Sequence, residues 1–349
     1  MADEAHDLVV VGAGVLGLAT ALLARRRHPA WSIVVLDRAR PGSGASARSA
    51  AVVASYGPTP AHRELVARSF RCYREGWLAP FAAGVPAFAV VPRPALPELH
   101  ERIVGPAPRE ADPGERSLVL DLLERPALPS AEALVAVPGG VLTVDTGALA
   151  DAAFLTSRRV ECRGGVEVVS VRPVRSGHRL RTAGGEEVAA ARTVIATGPW
   201  RPPEVAGTSL PARFAAKRVA ALHLTPAGGE VPAVFWPTVD RFLLPEGGRL
   251  LFSFPRDRWL RPGDDPSEGF GAEDLAAGTA ALAETAAGLV KSVAGGRAHA
   301  DAYASGRLPR VESDSAVPGL AWLWGGSGSG VALAPALAAD ALDTVTQGV

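Results

Sequence analysis

The sequence predicts an α/β protein, with a Rossmann-like dinucleotide-binding domain and an interleaved antiparallel-sheet domain of α+β character. Three observations predict it. An apolar run, a glycine cluster and a second apolar run succeed one another and close at Asp37. Short strand-like segments divided by turn signals fill the middle of the chain, and a second glycine-rich loop opens its last helical segment. At 349 residues the chain exceeds the size at which one hydrophobic core keeps growing, so two intertwined units are expected.

Leu8-Val9-Val10-Val11 is an uninterrupted apolar run of the kind found in a parallel strand covered on both faces. The glycine cluster leads into a helix over 18–27, marked by Leu18, Leu22 and Leu23 and stopped by Pro29. Ile33-Val34-Val35-Leu36 is the next strand, and the three form one parallel crossover. Prolines at 80, 86, 92, 94 and 97 break the stretch 77–135, where no long regular element is predicted. Strands are expected over 166–174, 178–182 and 192–197, parted by Arg175-Ser176-Gly177 and Ala183-Gly184-Gly185 and forming a small antiparallel layer. Arg241 to Leu244 and Arg249 to Phe254 flank Pro245-Glu246-Gly247-Gly248 as a hairpin. Helices are expected over 273–290 and 331–345.

Composition narrows the function classes. Basic and acidic residues balance at 36 each, which gives no pull toward nucleic acid. Cys72 and Cys162 lie far apart, outside any disulfide or metal-ligand spacing, and fit a reducing cytoplasm. Asp3, Glu4 and Asp7 precede the first strand where a signal peptide would be basic, so none is expected. The uncharged stretch 317–339 is split by Gly325-Gly326-Ser327-Gly328-Ser329-Gly330, so no membrane span is expected either. The seven histidines show no metal or triad spacing.

The glycines at 12, 14 and 17 have a mechanical reading. Gly12 makes the tight turn, Gly14 lets a pyrophosphate approach the backbone, and Gly17 lets helix and strand pack closely. The phosphates then sit on a helix N-terminus, beside Val15 and Leu16, where free N–H groups and the helix dipole favour negative charge. Asp37, at the end of the second strand, is placed to bind ribose hydroxyls. This spacing leaves FAD and NAD equally open. Near the C-terminus, Gly326, Ser327, Gly328, Ser329, Gly330 and Val331 would let the backbone pass close to an aromatic ring system at the start of a helix.

Four blocks in order along the chain carry a resemblance. They are Val11 to Gly17 with Asp37, Gly44 to Ala51, Thr193 to Trp200, and Gly325 to Pro335. Together they resemble the D-amino-acid oxidase-like (DAO) family of FAD-dependent oxidoreductases, nearest in motif to D-arginine dehydrogenase, glycine oxidase and sarcosine oxidase relatives. The resemblance implies non-covalent FAD held by Gly12, Gly14, Val15, Leu16, Gly17, Asp37, Arg38, Gly44, Ala45, Ser46, Arg48, Ser49, Ala50, Thr197, Gly198, Trp200 and the 326–331 loop. No cysteine follows Cys162 to tether the flavin. It further implies an FAD-binding domain over 1–80, 136–205 and 300–349, with a substrate domain over 81–135 and 206–299.

For the substrate, the resemblance implies an amino acid or related amine whose C–N bond is oxidised to an imine by hydride transfer to flavin N5, with oxygen or a quinone as the electron acceptor. A planar guanidinium matches a carboxylate with two parallel hydrogen bonds, and Arg218 is the positional match. Arg307 or Arg310 is a second candidate, and Tyr56 matches a substrate-contacting tyrosine across a one-residue deletion. Val52-Val53 replaces a His-Tyr pair and Phe242 replaces a tyrosine, so a less polar pocket is expected. A tailored or carrier-bound amino acid, and a non-catalytic FAD-carrying subunit, are the alternatives at this stage.

Overall fold

The computed structural model describes residues 5–155, 160–208, 214–225, 231–261 and 264–347. Its contacts divide the chain into two units. The first comprises Met1–Ala51, Asp145–Ala216 and Asp301–Val349, and the second Val52–Val144 and Lys217–Ala300.

The first unit is built on β1 (Leu8–Val11), α1 (Val15–Arg27) and β2 (Ile33–Asp37). Their sheet runs in the order Arg310–Ser313, Leu320–Trp324, Thr193–Ile195, β1, β2, Val160–Gly164; the first pair is antiparallel and the others are parallel. Both faces of β1 are covered, which is why its run is apolar at every position rather than at alternate ones. Val9 and Val11 pack with Val171, Leu180 and Val188 of a second, smaller sheet, while α1 packs against the last helix, Gly330–Gln347. The smaller sheet contains Val168–Val174 and Gly177–Thr182, paired antiparallel as expected, and Glu187–Ala190, a strand the sequence did not predict. Thr193–Ile195 differs from expectation: it leaves that layer and pairs parallel to β1, because Val194 and Ile195 are buried on both faces.

The second unit is built on a sheet in the order Val293–Ala304, Phe214–Leu224, Arg249–Phe254, Arg241–Glu246, Ala233–Trp236, Ala87–Pro92, Glu132–Ala136, Arg109–Glu110. Leu222, Leu243, Phe252 and Leu134 pack on one face with Leu282 of the helix Ala272–Ala286 and Val119 of the helix Pro113–Leu122. On the other face Ala89, Val91 and Val135 pack with Leu99 of the helix Leu96–Arg102 and with Tyr56 and Phe235. The hairpin closes more tightly than expected. Its strands reach Glu246 and Arg249, leaving Gly247 and Gly248 at φ +55° and +81°, the left-handed pair that a two-residue turn between twisted strands requires.

Two expectations are corrected here. The stretch 77–135 holds regular elements despite its prolines: Pro113 occupies the first turn of its helix, where no N–H is needed, and Asp112 and Glu115 form a reciprocal capping box. The residues 52–80 and 136–144 cluster with the second unit rather than the first, since Val52–Ala54 pairs with Val141–Val144, which also pairs with Ala82–Val85. Among the described residues no helix is long and apolar enough to cross a membrane.

Candidate active site

The turn between β1 and α1 is built by close approach. Gly12 sits at φ +106°, and a Cβ there would overlap the Ala196 carbonyl. A Cβ on Gly17 would overlap the Gly12 carbonyl. At Gly14 it would lie 3.4 Å from Ser46 Oγ, an ordinary contact, so the chain itself leaves room there. Ser46 comes from the short helix α2 (Ala45–Arg48), which also carries Arg48 and is followed by Ser49 and Ala50. The Ser46 hydroxyl accepts Val15 N–H at 2.9 Å, capping α1 from outside its own chain segment. Asp37 Oδ2 accepts Ala13 N–H at 2.6 Å and Oδ1 accepts Ala39 N–H at 2.8 Å. Each oxygen keeps a lone pair for a ribose hydroxyl.

Trp200 lies beside this turn. Its ring would meet a Cβ on Gly44 at 2.8 Å, and the Arg38 guanidinium stacks 4.8 Å from its centroid. Thr197 Oγ1 donates to Trp200 O at 3.3 Å, and Gly198, at φ +62°, turns the chain between them. The Trp200 Nε1 is buried and has no hydrogen-bond partner among the described residues, so a donor is left over at this turn. The structure thus gathers Gly12, Gly14, Asp37, Arg38, Gly44, Ser46, Gly198 and Trp200 around one turn.

The late glycine loop also lies in the first unit. Gly325 and Gly328 have φ +58° and +82°, and Ser327 joins them at +50°. The Ser327 hydroxyl is spent within the loop, accepting Ala304 N–H and donating to Gly325 O, both at 3.1 Å, and its N–H is given to Ala302 O at 2.8 Å. A Cβ on Gly330 meets no atom within 4 Å, which leaves open space over the first residue of the last helix. A cradle at Gly14, an orphaned indole N–H and open space at Gly330 all fit a dinucleotide cofactor.

The expected substrate residues fare differently. Arg218 lies on a strand whose alternation turns it toward the helix-covered face with Ala220 and Leu222. It is 4% exposed and Asp274 is 2% exposed. Its Nε donates to Asp274 Oδ1 at 3.0 Å, Nη1 to Glu268 O at 3.2 Å, and Nη2 to Asp274 Oδ2 and Gly269 O. The fork is committed, so Arg218 is placed as a structural ion pair rather than as a carboxylate clamp. Hydrogen bonding to Asp274 holds the guanidinium above its ordinary pKa. Burial would raise the Asp274 carboxyl, but the hydrogen bonds from Arg218 and Gly271 N–H and the charges of Arg218 and Arg256 hold it below its ordinary value.

Tyr56 sits on the opposite face of the sheet, where its hydroxyl accepts Arg102 Nη1–H at 2.9 Å. Phe242 packs 5.7 Å from Phe235. In the first unit, Arg307 is exposed at φ +59° with its guanidinium 5.8 Å from the Tyr303 ring, and Arg310 is exposed on the edge strand. Sequence reasoning missed Asp301, which accepts two backbone N–H groups at the late loop; a lone acid in an alanine-rich strand gave no signal. Among the described residues no cluster of His, Cys, Asp and Glu could hold a metal.

The model of the DAO family, FAD dependent oxidoreductase, matches residues 7–343, and the chain belongs to this family. It is an FAD-dependent oxidoreductase. Among solved structures it is similar to L-proline dehydrogenase from P. horikoshii, with a TM-score of 0.80 at 17% identity over 99% of this chain and 94% of that one. Iminodiacetate oxidase from Chelativorans sp. BNC1 gives 0.77 at 19% over 98% and 96%. Glycine oxidase from Geobacillus kaustophilus gives 0.73 at 19% over 99% and 95%. At these identities the likeness is one of fold. Among curated proteins none matches the chain.

Proposed function

We propose that the protein oxidises the C–N bond of an amino acid or related amine, giving an imine. The open approach at Gly14 and Gly330, with Asp37 between them in sequence, carries this reading for the cofactor half of the site. With Val15 N–H already given to Ser46, the first-turn N–H of α1 at Leu16 would take the pyrophosphate, Asp37 would take the ribose, and Trp200 Nε1 a cofactor oxygen. When bound, FAD supplies the hydride acceptor. The chain's own residues would orient the amine and exclude water; within the second unit the candidates are Phe242, packed on Phe235 as an apolar surface, and Tyr56, whose hydroxyl accepts from Arg102. Arg307 is the arginine we assign to a substrate anion, since its fork is exposed where that of Arg218 is enclosed. Oxygen or a quinone would serve as the electron acceptor, and a cytoplasmic setting accords with Cys72 and Cys162 as free thiols.

The committed fork of Arg218 favours a second reading, in which the substrate carboxylate is masked as in a carrier-bound or otherwise tailored amino acid. One experiment separates the two. Anaerobic mixing with free D- and L-amino acids, N-methyl amino acids and their methyl esters should bleach the 450 nm region of the flavin spectrum, on the order of full reduction for the true class. Bleaching by free acids supports the first reading; bleaching by esters alone supports the second. No bleaching by any amine overturns both.

A further inference from the structure

The late glycine loop is pinned to the strand Val293–Ala304 by a carboxylate. Asp301 Oδ2 accepts Gly328 N–H at 2.7 Å, and Oδ1 accepts Ala302 N–H at 2.8 Å. Ser327 N–H reaches Ala302 O at 2.8 Å, and with its hydroxyl bonds this holds Ser327 in the left-handed region that a side chain otherwise avoids. A Cβ built on Gly326 would lie 3.5 Å from Asp301 Oδ1 and 3.0 Å from Gly330 Cα. The acid therefore lies beside the turn that leads into the last helix, whose dipole alone would favour negative charge.

We propose that Asp301 is a positioning residue of the flavin site, which holds the turn Gly325–Ser329 against its strand and whose charge sets how readily the bound cofactor accepts electrons. The inference rests on the placement of the flavin at this turn. Burial pushes the Asp301 carboxyl up to about 6, against the opposing pull of the Gly328 and Ala302 N–H donors. Around it the strand supplies Tyr303, whose hydroxyl lies 3.4 Å from a Cβ built on Gly328, and beyond it Arg307. Arg297 and His299 precede it on the same strand, and the last helix carries no charge before Asp340. No neighbouring charge among the described residues contributes to its shift. Reduction adds negative charge at the pyrimidine edge of the flavin, so an ionised Asp301 opposes it and a protonated one does not. The two electrons come from the substrate; the additional proton comes from solvent and ends on the Asp301 carboxylate.

The test uses FAD-loaded protein and Asp301→Asn, which keeps an acceptor oxygen for Gly328 N–H and loses the charge. The ratio of reduced to oxidised flavin is read anaerobically against a reference dye from pH 5 to 8. Between about pH 6 and 7 the parent should take up a further fraction of a proton per two electrons, an uptake absent from the variant. At pH 8 the variant's ratio should be roughly tenfold higher, the order of effect of removing one nearby charge at an effective dielectric of about 20. Superposable profiles for parent and variant overturn the inference. Should Asp301→Asn fail to hold FAD, the parent decides: a uniform slope across the range overturns it, and a steepening above pH 6 supports it. Gly330→Leu separates the placement from the role of Asp301. Its side chain enters open space, so the apoprotein should melt as the parent does while FAD content falls; full FAD content shows that the flavin does not lie at this turn.

Discussion

Arg218→Ala should unfold the second unit more easily rather than weaken substrate binding. The substitution leaves Asp274, 2% exposed, without its bidentate partner, and it strips the donors from the Glu268 and Gly269 carbonyls. Arg256 Nε, at 3.3 Å, and Gly271 N–H, at 3.1 Å, still reach the carboxylate, so the charge is weakened in its pairing rather than wholly abandoned. Breaking a buried ion pair by removing one partner costs about 3–5 kcal/mol. For a unit of this size each kcal/mol moves the transition by about 2–4 °C, which predicts a fall of about 6–20 °C. The assay is thermal unfolding followed by circular dichroism, with FAD in fixed excess. Asp274→Ala should also be destabilising, and the double variant should lose less than the two single losses added, because the pair is then counted once. A melting temperature unchanged in Arg218→Ala, together with a raised half-saturation for an amino acid, would refute the reasoning and return Arg218 to the substrate.

Other expectations follow from the same geometry. Gly14→Val should give a folded protein with little FAD, measured as the 450 nm to 280 nm absorbance ratio on the order of that of the apoprotein, because the added methyls fill the cofactor's approach to α1. His178 donates from Nε2 to Pro318 O at 3.2 Å and accepts at Nδ1 from Thr193 Oγ1 at 3.0 Å, the only tautomer a carbonyl permits. Burial lowers its pKa, the contact with Pro318 working the other way, so the neutral ring's contribution is fully present above about pH 6.5 and is lost as the pH falls toward the folded value. Urea unfolding at pH 7.5 and 5.5 should show a loss in the parent that His178→Gln lacks. Asp112→Ala removes the cap of the helix Pro113–Leu122 and should cost about 1 kcal/mol by urea unfolding.

The first crossover was legible because each of its residues answers to one local demand. The apolar β1 needs cover on both faces, the glycines need contact with backbone, and Asp37 closes the strand whose end it occupies. The stretch 77–135 is less legible because a proline reads as a break or as a helix start according to its neighbours, and Pro113 between Asp112 and Glu115 is a helix start. Arg218 shows a harder limit. Lys217 and Arg218 are neighbours on one strand, and nothing local says which of the two faces the covering helix. That is decided by Asp274, fifty-six positions further on. Residues that bind backbone leave a signature in their own segment, whereas a charge that pairs across a sheet leaves none.

The crowding at the first glycine turn bears on how such a chain would diverge. Gly12 and Gly17 are demanded by the backbone they touch, at Ala196 and at Gly12 itself, so a descendant that had ceased to bind any nucleotide would still have to keep both in order to fold. Gly14 is under no such obligation, because its nearest neighbour is a serine hydroxyl at ordinary contact. Drift at position 14 with 12 and 17 intact would therefore mark lineages in which the fold has outlived its cofactor.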